Sequence, residues 1–104
     1  AHDSSLGFAS HPGFRCGTTR NFTMYDLENR KQLEIIQRPL IVMDDSIISE
    51  EYMGLKEKDS ILSYVLSLKD TVDYFGGNFT LLWHNTSLTS YRYRRIYEQV
   101  IRSL

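Results

Sequence analysis

Gly76-Gly77-Asn78-Phe79-Thr80-Leu81-Leu82-Trp83-His84-Asn85 holds an apolar run entered from a glycine break and left through a polar loop. A short apolar run after such a break reads as a buried strand, Asn78 to His84. Side chains alternate along a strand, so Leu82 and His84 share one face and Leu81 and Trp83 the other. Ile61, Val65, Leu68, Val72 and Phe75 recur at helical spacing just upstream, and Leu62 and Leu66 widen the stripe. Gly76-Gly77 stops that helix. Downstream, Asn85 to Ser90 is a polar loop that offers N-caps. It leads into a last helix, Tyr91 to Ser103, with Tyr93, Ile96, Tyr97, Val100, Ile101 and Leu104 on one face.

Further upstream, Leu33 to Ile36 reads as a strand. Pro39 separates it from a second extended segment, Leu40 to Asp44, because proline cannot donate within a sheet. Tyr25 to Arg30 is expected to make a helical turn, Phe14 to Thr18 a short strand, and residues 1 to 13 a loop. The order strand, strand, helix, strand, helix predicts an α/β fold, an open and mostly parallel sheet with two main helices. Its inner face would carry Leu40, Val42 and Leu82. With an uncovered edge, that face would favour a homo-oligomer.

The chain has 104 residues, enough for one domain with a modest core. Its 12 basic and 13 acidic residues nearly cancel, which leaves no electrostatic footprint for nucleic acid. No run is long enough to cross a bilayer as a helix. A single cysteine, Cys16, excludes an internal disulfide framework, and with no base partner evident it reads as a small buried thiol. Asn-x-Ser/Thr triplets at Asn21, Asn78 and Asn85 are of a kind that arises often by chance.

Two residues could carry chemistry by position. His84, at the end of a buried strand, can give or take a proton near neutral pH; the plainer alternative is a histidine bonded to a loop carbonyl. Asp44 ends the segment from Leu40. If its strand runs parallel to that of His84, both groups emerge on one rim, where a carboxylate would fix the imidazole tautomer. Asp45 could take that place, and a turn or N-cap role is the alternative. Metal binding lacks support. The three histidines, His2, His11 and His84, show no ligand spacing, and His2, Asp3 and His11 would meet only by accident of folding. Tyr91-Arg92-Tyr93-Arg94-Arg95 interleaves aromatics and cations, a pattern that stacks on sugars or single strands but more often buries its tyrosines and solvates its arginines.

Gly13-Phe14-Arg15-Cys16-Gly17-Thr18-Thr19-Arg20, Pro39 to Asp44, and Leu81-Leu82-Trp83-His84-Asn85 together resemble the polysaccharide deacetylases, carbohydrate esterase family 4. The likeness is to a bacterial branch that writes its first motif Gly-Phe-Arg-x-Gly-Thr. It implies that residues 1–104 are a single partial domain, the C-terminal half of a (β/α) barrel-like deacetylase domain. It further implies that the parent removes acetyl groups from a carbohydrate. His84 would be the acid toward the leaving group, Leu82 would line the acetyl pocket, and Arg15 would orient the base carboxylate. A guanidinium suits that task, since it holds a carboxylate by two parallel bonds. Arg20 competes with Arg15, and Gly17 stands where the family writes proline. Family members also carry an aspartate between these motifs, the match for Asp44. The base and the metal ligands, an Asp and a His-x-x-x-His pair for a divalent ion such as zinc, would come from the N-terminal half as partner. This chain alone would then bind no metal and be silent. The rival reading is a small non-catalytic α/β module that binds a partner through its open sheet edge.

Overall fold

Pro39 and the Gly76-Gly77 break divide the backbone much as the sequence suggests. The computed structural model describes residues 1–104, a mixed α/β chain with two small open sheets and three α-helices. Strands β1 (His2–Asp3), β2 (Phe22–Asp26) and β3 (Lys31–Gln37) form one sheet in the order β1-β3-β2. Strand β1 runs parallel to β3, with His2 opposite Ile36, whereas β2 and β3 form an antiparallel hairpin pairing Phe22 with Gln37 and Asp26 with Lys31. Strands β4 (Val42–Met43) and β5 (Leu81–Leu82) form a second, parallel sheet in which Val42 faces Leu81 and Met43 faces Leu82. Neither sheet closes into a barrel.

The hairpin corrects the expected helical turn over Tyr25 to Arg30. The Asp26 carboxylate accepts the backbone N–H groups of Glu28 and Asn29 at 3.0 and 3.1 Å and the Asn29 side-chain amide at 2.8 Å. An aspartate that satisfies the next backbone donors nucleates a turn rather than a helix. The same bonds, that from the Asn29 side chain first, hold the Asp26 carboxyl below its ordinary range. The expected strand over Phe14 to Thr18 is also absent. The Gly17 N–H reaches back to the Phe14 carbonyl at 2.9 Å, and Gly17 lies at φ 68°. Proline, fixed near φ of about −65°, could not occupy that position, so this loop differs from one built around an Arg-x-Pro motif. In place of one mostly parallel sheet the chain forms two small ones, and the longest pairing, β2 with β3, is antiparallel.

Both long helices form: α2 (Lys58–Phe75), stopped by Gly76 at φ 73°, and α3 (Tyr91–Ser103). A short α1 (Asp44–Ile48) follows β4 directly, and a 3-10 turn over Asn85–Thr89 joins β5 to α3. The core comprises Ile41, Val42 and Ile47 with Ile61 and Val65 of α2 and Ile96 and Val100 of α3. The helix stripes are narrower than their periodicity implies, for Phe75, Ile101 and Leu104 are exposed. Leu40 is buried because residues 6 to 14 lie along this segment, and Val42 because it belongs to the apolar core. The Leu40 N–H donates to Leu6, the Gly13 N–H to Ile41, and the Ser46 hydroxyl to Ala9. Of the expected wet inner face only Leu82 stays exposed.

Candidate functional site

Parallel pairing of β4 with β5 carries both chains out of the sheet at the same end. Asp44 is the residue after β4, and His84 lies one residue beyond Trp83 after β5. Leu81 and Trp83 turn toward the core, with the Trp83 indole 5.5 Å from the Tyr97 ring. Alternation leaves Leu82 outward, 41% exposed, and His84 partly open beside it.

Asp44 is fully buried and accepts three hydrogen bonds. The His84 backbone N–H reaches Oδ2 at 3.0 Å, and the Ser87 hydroxyl reaches the same oxygen at 2.5 Å. His84 Nδ1 lies 2.6 Å from Oδ1. A carboxylate accepts only, so the Nδ1 proton points at Asp44 and Nε2 is left without a protein partner. The backbone bond also explains why β5 ends where it does: after Leu82 the partner of the chain is a side chain in place of a strand carbonyl. Asp45 is exposed, and its carboxylate stands 3.7 Å from Nδ1.

The hydrogen bond to Asp44 raises the His84 pKa above its ordinary value. Partial burial opposes this, and the charges of Asp44 and Asp45 add to it. A raised pKa means that the folded chain holds this proton more tightly than the unfolded chain. The His84 contribution to stability is therefore complete below the ordinary value of 6.5 and fades as pH rises through the higher folded value. Urea unfolding of wild type and His84→Gln from about pH 5 to about pH 9 checks this. The wild-type advantage should shrink as pH rises; an advantage that grows would contradict the assignment.

Arg15 does not join this pair. Its guanidinium donates to the Gly7 carbonyl at 3.0 Å and has no carboxylate within 4.0 Å. Arg20 is likewise elsewhere, bonded to the Phe75 carbonyl at 3.0 Å. Cys16 is not an activated nucleophile: burial raises its pKa against the opposing charge of Arg15. In the arginine–tyrosine cluster, Arg92 lies over Tyr93 and Arg94 over Tyr91, while Arg95 pairs with Glu98.

The ligand atoms of Asp44, Asp45 and His84 lie within 4.8 Å of one another. A Nδ1–Oδ1 separation of 2.6 Å is that of a direct charge-assisted hydrogen bond and leaves no room for an ion between the two atoms. As arranged, the group fits a shared proton rather than a metal. His11 bonds Ser10 and stacks on Phe8, and His2 sits in β1. Ser87 is the member of the site that the sequence does not reveal. Its only signal is its place three residues after His84, where its N–H closes the 3-10 turn onto the His84 carbonyl at 3.1 Å.

Compared with known protein families, with curated proteins and with solved structures, the chain finds no match.

Proposed function

We propose that this chain is the acid-side half of a carbohydrate deacetylase-type domain, with His84 as its proton-transfer group. The observation that supports this reading is the buried Asp44 carboxylate on His84 Nδ1 at 2.6 Å, at the carboxyl ends of two parallel strands. Ligands of parallel α/β folds bind at that end. Asp44 fixes the ring and its tautomer and favours the imidazolium. A water oxygen bonds to the acetyl carbon as its proton passes to the base of the N-terminal half, and as the bond from that carbon to the leaving nitrogen or oxygen breaks, Nε2 gives its proton to the leaving atom. Leu82 supplies an exposed apolar wall suited to an acetyl methyl group. In this reading β4 and β5 are neighbouring strands of a (β/α) barrel. The rest of that barrel, with its base and a divalent ion such as zinc, comes from an N-terminal half. No step assigned to this chain passes through a metal. Arg15, tied to Gly7, has a scaffolding role here.

Acetate release from N-acetylated chito-oligosaccharides and O-acetylated xylan tests the proposal. The 104-residue chain should release none. In a polypeptide holding both halves, His84→Gln should lower kcat by about a hundredfold or more, with KM little changed. Unchanged release in that variant, or release by this chain alone, would overturn the assignment. The alternative is a non-catalytic interaction module, and the exposure of Leu82, Phe22 and Ile36 on the small sheets favours it. It expects self-association or capture of a partner strand that His84→Gln leaves intact.

A further inference from the structure

A cleft of about 370 Å³ lies between the loop from Gly17 to Arg20 and the last turns of α2. It is near the amino end of β5, whereas His84 follows the carboxyl end. Its size falls in the range of small-molecule sites, roughly 300–1,000 Å³. The loop wall is held in place. The Asn78 N–H donates to the Thr19 carbonyl at 2.9 Å, the Thr19 hydroxyl to the Gly76 carbonyl at 2.5 Å, and Arg20 Nη2 to the Phe75 carbonyl at 3.0 Å. A methyl group on Gly77 would meet the Thr19 carbonyl oxygen at 2.1 Å, so the loop is seated against a surface only glycine provides.

Two features of this cleft are left partly unsatisfied within the chain. Arg20 is the one charged residue in its wall and has no carboxylate within 4.0 Å. It makes one side-chain hydrogen bond from a group that carries about five donors. Asp73, near the end of the same helix, is held by Lys69 at 2.6 Å. The second feature is aromatic. Phe75, in the wall, is 60% exposed, and the adjacent Tyr74 is 83% exposed with its ring edge-on to Phe75 at 4.9 Å. An unpaired guanidinium recognises a carboxylate by a forked pair of bonds, and an exposed aromatic face recognises a flat ring or the apolar face of a sugar.

We propose that this cleft binds a small ring-borne carboxylate, with the carboxylate on Arg20 and the ring against Phe75. Thr18 and Thr71 line the same cleft. The same chemistry is offered by an acidic sugar and by an aromatic acid. The site stands apart from the His84 proposal and does not depend on it.

Amide chemical shifts of the labelled chain, titrated with D-glucuronate and with benzoate, test it. D-glucose and benzyl alcohol serve as neutral counterparts. At least one acid should give saturable shifts confined to residues 14–20 and 71–78, with millimolar Kd. Its neutral counterpart should bind about tenfold more weakly or not at all. Saturation by glucuronate alone identifies an acidic sugar, and by benzoate alone an aromatic acid. Arg20→Gln removes the anion partner, and Thr71→Phe fills the cleft without touching Arg20; each should abolish the shifts while the spectrum stays dispersed. No saturable shift with either acid, equal binding of the neutral counterparts, or full binding by a folded variant overturns the proposal.

Discussion

Gly77→Ala is expected to lose about 3–4 kcal/mol of stability, through overpacking and broken hydrogen bonds together. Gly77 lies at φ 137°, a backbone region L side chains rarely adopt. The added methyl carbon would stand 2.1 Å from the Thr19 carbonyl oxygen and 2.6 Å from its carbon. Both are backbone atoms, so no side-chain rotation relieves the clash; the loop must leave the end of α2. Leaving breaks the Asn78–Thr19, Thr19–Gly76 and Arg20–Phe75 hydrogen bonds together. Those last two satisfy carbonyls at the end of α2 that the helix itself cannot pair. Urea unfolding should show the midpoint falling, and hydrogen exchange should quicken first at the Asn78 amide, which donates to Thr19. A midpoint within experimental scatter of wild type would mean that the loop is not seated on Gly77. Gly17→Ala serves as the contrast. Its added carbon meets nothing within 4 Å, so only its left-handed φ of 68° opposes it, a cost of about 1 kcal/mol.

The two long helices were legible because their apolar stripes are periodic and Gly76 stops the first of them. The stripes could not say how far each helix stays covered, and Phe75, Ile101 and Leu104 end in solvent. The β2–β3 hairpin was hidden for a different reason. Phe22, Thr23 and Tyr25 are all exposed, so the alternation carries no contrast between a wet and a dry face. Its turn rests on one carboxylate accepting three donors, which charge and hydropathy do not display. At the candidate site, strand alternation and a parallel register were enough to bring Asp44 and His84 to one rim. Arg15 failed to arrive because the segment after Phe14 folds back on itself at Gly17. Ser87 arrives through a 3-10 turn, a geometry with no signature in spacing.

Asp44 variants separate the structural and the electrostatic roles of the pair. Asp44→Ala leaves the His84 backbone N–H, the ring Nδ1 and the Ser87 hydroxyl without their acceptor, around a residue that is fully buried. Loss of these bonds should cost about 3 kcal/mol, at the lower end for a broken buried pair because the part-open imidazole can shed its proton. Asp44→Asn is gentler, about 1–2 kcal/mol. Its amide oxygen can replace Oδ2 and accept from both the His84 N–H and the Ser87 hydroxyl. Its NH₂ group then occupies the place of Oδ1 and donates to Nδ1. Nδ1 cannot carry a proton against that donor, so the neutral ring must move its proton to Nε2. The carboxylate that raised the pKa is gone as well, and protonation becomes harder at a ring nitrogen facing an N–H group. Imidazole ¹⁵N shifts should report the Nδ1–H form in wild type and the Nε2–H form in Asp44→Asn. A pH titration of the same signals should show the His84 pKa falling. If the variant keeps the Nδ1–H tautomer and the wild-type pKa, Asp44 does not orient this histidine, and His84 loses the directed proton on which its proposed role depends.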